Sequence, residues 1–87
     1  MSITYKVTKF LKVADEEKKL VGLTCTDASG NVLIVDKKID LVDGTTDAQY
    51  AQQAYNASKT EIDEWSAEMS VHGMIFNPDD NSLSKSD

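Results

Sequence analysis

Apolar and polar residues alternate from Ile3 to Val13. Ile3, Tyr5, Val7, Leu11 and Val13 share one parity, and Thr4, Lys6, Thr8 and Lys12 share the other. Lys9 and Phe10 break the alternation, each standing where the opposite type is expected. A period of two carried by β-branched and aromatic residues predicts a strand with one buried face. Ala14–Lys18 reads as a charged turn, and Lys19–Thr26 as a second strand with Val21, Leu23 and Cys25 on its inner face. Gly22 inside that run marks a gap, a bulge or a close approach of backbone. Asp27-Ala-Ser-Gly-Asn31 signals a turn, because Gly30 and Asn31 tolerate positive φ. Val32–Leu41 predicts a third strand with Leu33, Val35, Ile39 and Leu41 inward. Connections this short predict hairpins, and hence a three-stranded antiparallel meander.

Past Asp43-Gly44 the period changes. Thr46 is placed to cap a helix, with Gln49 as its capping-box partner and Asp47 in the first turn, where its charge suits the helix dipole. Ala51, Tyr55, Ser58, Ile62, Trp65 and Met69 then recur at spacings of four and three, the signature of one helical stripe. The reading is one helix over about 47–69. The alternative is a break near Asn56–Thr60, where Ser58-Lys-Thr-Glu61 offers a second capping box. Gly73 reads as the residue just past the helix end, with His72 beside the negative end of the dipole. Met74-Ile-Phe76, stopped by Asn77-Pro78, is long enough only for a fourth strand on the sheet edge. The expectation is an α+β fold: a three- to four-stranded antiparallel sheet with one long helix packed on one face, covering Tyr5, Val7, Val21, Leu33 and Val35. It forms a single domain over residues 1–78, and an acidic polar tail follows over 79–87.

The chain has 87 residues, so the core is thin. Its net charge of −6 is unevenly placed. Up to Thr46 seven lysines offset seven acids, whereas from Asp47 onward two lysines face eight acids. There is no arginine, the residue best suited to phosphate and guanine contacts, and the acidic field repels nucleic acid. Nucleic acid is therefore excluded as an expected partner. No apolar run reaches the length of a membrane span, and residues 1–10 carry no secretion signal. The lone Cys25 leaves no intrachain disulfide, which fits a reducing compartment.

Chemistry-bearing residues are sparse. Cys25 falls on the inner parity of a strand, where a thiol acts as a small hydrophobe, and His72 is the one histidine. Their spacing supports no dyad. Glu61, Glu64 and Glu68 share a helix face, and Asp79 and Asp80 follow beyond it, but no EF-hand spacing joins them into a metal loop. No catalytic residue, metal site or cofactor is expected. Tyr50 lies off the helical stripe and reads as an exposed aromatic, so with Glu61, Glu64, Glu68, Asp79 and Asp80 it is the expected partner-binding set.

The run Ser2-Ile-Thr-Tyr-Lys-Val-Thr8, the Asp27-Ala-Ser-Gly-Asn31 hairpin, the helix entry Asp43-Gly-Thr-Thr-Asp-Ala-Gln-Tyr50 and Glu61-Ile-Asp-Glu-Trp65 resemble small tailed-phage proteins of the cyanophage type. The resemblance implies a phage setting and no enzyme, and it transfers no functional residue. The expected function is a non-enzymatic virion accessory of the capsid-decoration or cement type, located in the virion or the host cytoplasm. Its partner is then a capsid component or a basic host protein. The alternative is an acidic mimic of nucleic acid that occupies a basic groove.

Overall fold

The computed structural model describes residues 2–85. Three nine-residue strands, β1 (Thr4–Lys12), β2 (Lys18–Thr26) and β3 (Val32–Asp40), form an antiparallel sheet in the order β1-β2-β3. One uninterrupted helix, α1 (Asp47–Met69), lies on one face of it. The fold is α+β, as the alternation and the later change of period predict. The helix begins at the predicted cap: Gln49 N donates to Thr46 Oγ1 at 3.1 Å, and Thr46 N donates to Gln49 Oε1 at 2.8 Å.

The two misplaced residues of the first strand have one cause. Val7 pairs with Leu23 but Lys9 pairs with Gly22, so Thr8 is an extra residue in β1. Such a bulge reverses the parity of everything after it. Phe10 turns inward opposite Val21, while Leu11, expected inside, turns out and is half exposed. Lys9 also turns out, and its ammonium meets Asp36 of β3 at 3.0 Å by crossing over Gly22 of the middle strand. A Cβ at Gly22 would stand 2.6 Å from Asp36 Oδ1 and 2.8 Å from Lys9 Cβ. The glycine is thus a place of close approach, opposite a bulge on the neighbouring strand.

The core lies between α1 and strands β2 and β3. Val21, Leu23, Val35, Ile39, Tyr50 and Ala54 fill one part of it, and Cys25, Ile62 and Trp65 the other. The predicted stripe holds at Ser58, Ile62 and Trp65, but in the first turns the buried positions are Tyr50 and Ala54 instead of Ala51 and Tyr55. Steps of four residues turn about 400°, so the line through Ser58, Ala54 and Tyr50 winds about 40° per step around the helix, away from the face that bears Ala51 and Tyr55. Tyr5 and Val7, also expected under the helix, remain 39% and 46% exposed.

After α1 the chain makes a further turn through Ser70–Met74, where His72 N donates to Met69 O at 3.1 Å. Ser70 caps the helix, and Gly73, at φ 86°, shapes the turn beyond it instead of standing directly after the cap. The fourth strand exists but does not join the sheet. β4 (Ile75–Asn77) pairs antiparallel with β5 (Ser82–Ser84) in a separate hairpin. The expected boundary at residue 78 therefore falls inside a hairpin, and residues 79–84 of the expected tail are its turn and return strand. The last two residues of that tail lie outside the described residues. Local pairing wins because Asn77-Pro-Asp-Asp-Asn81 closes a very short loop. Asp79 N donates to Asn77 Oδ1 at 3.0 Å, and Asn81 adopts the left-handed φ of 56°. The hairpin extends the molecule to 58 × 20 × 17 Å.

Candidate functional site

Two apolar features are left uncovered, one at each end of the helix. The first is a groove between α1 and the inner face of β1. Because the helix sits over β2 and β3, only its side chains reach β1. Tyr55 meets Tyr5 edge to face, with ring centres 5.1 Å apart, and Tyr50 meets Phe10 likewise at 6.1 Å. Between these two aromatic bridges the helix sets Ala48 and Ala51, too short to fill the space over Val7, with Asp47 and Gln52 at the margins. Two adjoining concavities result, of about 360 and 310 Å³, sharing Val7, Ala48 and Ala51. Burial, and next the hydroxyl of Tyr55, push the Tyr5 phenol above its ordinary range, so it stays protonated at the rim.

The second feature is the β4–β5 hairpin. Ile75, Phe76 and Leu83 are 56%, 57% and 49% exposed, and every residue of both strands is exposed. A two-stranded hairpin is marginal alone in water. Phe76 and Leu83, directly paired, share one face of it and Ile75 points to the other, so both faces expose apolar side chains to water.

The residues expected to bind a partner are dispersed. Tyr50 is a core residue, not an exposed anchor. It is 5% exposed, Val42 N donates to its hydroxyl at 3.2 Å, and that hydroxyl donates to Val42 O at 3.2 Å. Glu61, Glu64 and Glu68 are exposed along the helix, but Glu61 is tied to Lys37 of β3. The neighbouring Asp63 is paired with Lys59, whose ammonium it holds above the ordinary lysine range. Asp79 and Asp80 belong to the hairpin turn, where Ser82 Oγ donates to Asp80. Among the described residues no three metal-ligating side chains converge. Cys25 is fully buried beside Ile62 and Trp65, and burial pushes its thiol up, away from the reactive thiolate. His72 is exposed past the helix end.

The groove and hairpin residues escaped the sequence reading, although two signals for them were present. The parity break at Lys9-Phe10 marks the bulge that separates Val7 from the covered part of β1. The Asn77-Pro-Asp-Asp-Asn81 run between Ile75-Phe76 and Leu83 marks a local hairpin. Among the described residues no helix is long and apolar enough to cross a membrane. No protein-family model matches the chain, and neither a curated protein nor a solved structure is significantly similar to it.

Proposed function

We propose that this chain is a non-enzymatic protein-binding module that docks through apolar surface, in the manner of a virion accessory protein. The observation that carries the reading is the β4–β5 hairpin, which projects along the 58 Å axis with Ile75, Phe76 and Leu83 in solvent. The groove supports a binding role over a catalytic one. It is lined mainly by hydrocarbon and aromatic rings and gathers no nucleophile with a base. The phage setting rests on the resemblance of the opening strand and the helix entry. The acidic-mimic reading draws little from the geometry, since Glu61 and Asp63 are each engaged by a lysine and Asp79 and Asp80 sit on a different element from the helical acids.

The test is salt dependence of attachment to purified particles or to a captured partner. Apolar burial is not screened, whereas contacts between exposed charges weaken beyond a Debye length of about 8 Å at physiological salt. Attachment that is flat between low and high salt and unaffected by a Glu61/Glu64/Glu68→Gln triple variant is the expected result. A steep slope abolished by that variant would transfer the function to the acidic face.

A further inference from the structure

The two uncovered surfaces belong to the same chain, one of each per molecule, yet they cannot meet within it. The groove lies at Ala48 and Ala51, in the first turns of α1, and the hairpin follows the last turn. The helix between Ala51 and Met69 separates them by about 27 Å at 1.5 Å per residue. We infer that the β4–β5 hairpin of one copy docks into the β1–α1 groove of a second copy, and that the second returns its own hairpin to the first. The inference rests on the docking role proposed above and names the partner for that hairpin.

Geometry and area agree on this occupant. When two copies lie antiparallel about a two-fold axis, the end of each helix that bears the hairpin falls beside the end of the other that bears the groove. Both sites are then filled and the assembly closes. Phe76 and Leu83, paired on one face of the hairpin, and Tyr5 and Val7 in the groove are each between 39% and 57% exposed. Covering them and the backbone around them at two equivalent sites removes on the order of 1,000 Å² from water, the least that a specific interface buries. β1 is also an edge strand with unpaired backbone groups, which an incoming strand satisfies.

Sedimentation equilibrium on the full chain tests this. The expected wild-type mass is twice that of the chain at micromolar concentration. Phe76→Ser, on the exposed hairpin, and Ala48→Glu, at the groove mouth and in the first helical turn where a carboxylate is well tolerated, should each weaken association at least tenfold while leaving the circular dichroism unchanged. Mixing these two variants should give a heterodimer tighter than either variant's own dimer and weaker than wild type, since one intact hairpin then faces one intact groove while the second contact is lost. A monomeric wild type at hundreds of micromolar overturns the inference, as do a dimer indifferent to both substitutions and open assemblies that grow with concentration. A monomeric wild type whose attachment to particles is lost in Phe76→Ser leaves the docking role standing without self-association. Attachment and mass both unchanged in that variant defeat the docking role as well.

Discussion

Strand β2 and the β4–β5 hairpin contain similar apolar material and meet opposite fates. Val21, Leu23 and Cys25 of β2 are 1%, 3% and 0% exposed, because β2 has a neighbour on each side and a helix above. Ile75, Phe76 and Leu83 have one strand each for company and stay half in water. The difference lies in coverage rather than in side-chain type: burial is set by how many elements the topology brings to a strand. A region stabilised by coverage is sensitive to truncation. A region without coverage contributes little to folding and is available for contact.

Truncating one isoleucine in each region gives the largest contrast. Ile62, 1% exposed on the inner face of α1 in the covered region, should cost about 2–5 kcal/mol as Ile62→Ala, whereas Ile75→Ala, 56% exposed, should cost less than about 0.5 kcal/mol, measured by urea unfolding of the chain below its association range. Equal losses would mean that the hairpin is part of the same core.

A smaller effect probes how tightly the covered region is built. Gly22→Ala places a methyl 2.6 Å from Asp36 Oδ1 and 2.8 Å from Lys9 Cβ. It should destabilise by roughly 1–3 kcal/mol, as overpacking does. Combining it with Asp36→Ala, which removes that oxygen, should recover part of the loss, and a double variant no better than Gly22→Ala would locate the strain at Lys9 Cβ.

The smallest expected effect lies in the β2–β3 turn. Asp27 accepts from Asn31 Nδ2, Ser29 N and Asn31 N at 2.9, 3.0 and 2.9 Å. The Asn31 side chain, followed by the backbone donors, holds its carboxyl below the ordinary aspartate value of 3.8. A carboxyl depressed by folding contributes stability that is present above that value and is lost as pH falls through the folded one. The stability advantage of wild type over Asp27→Asn should therefore be steady from neutral pH to about pH 4 and shrink below it, read from thermal unfolding midpoints. An advantage that grows on acidification would contradict the hydrogen-bond assignment.

Strands and helix were legible because their signals are local. Alternation at Val21, Leu23 and Cys25, the Asp27–Asn31 turn and the Thr46–Gln49 capping box each act within a few residues. The placement of Tyr50 was not legible, because the lines Ala51–Tyr55 and Tyr50–Ala54 both lead into Ser58 on adjoining faces of the helix, and the position of the sheet decides which one is covered. The state of Tyr5 and Val7 was not legible either. Their parity is correct, but nothing near them in sequence tells that the helix will lie over β2 and β3 and set short side chains, Ala48 and Ala51, nearest Val7. The acids expected to act together were separated for a similar reason, since the hairpin containing Asp79 and Asp80 pairs with itself.

The single extra residue in β1 has a consequence for how this protein can change. Before Thr8, inward side chains shape an open surface, while after it Phe10 is built into the packed interior against Tyr50. The strand is thereby split into two independently variable halves. Substitutions at Tyr5 and Val7 alter what the groove accepts without disturbing the interior, so a lineage can drift toward a new contact through point changes there. Loss of Thr8 itself would restore a regular strand in which Val7, Lys9 and Phe10 keep their partners Leu23, Gly22 and Val21, so that position is open to deletion, whereas losing a residue elsewhere in the strand would turn inward side chains out.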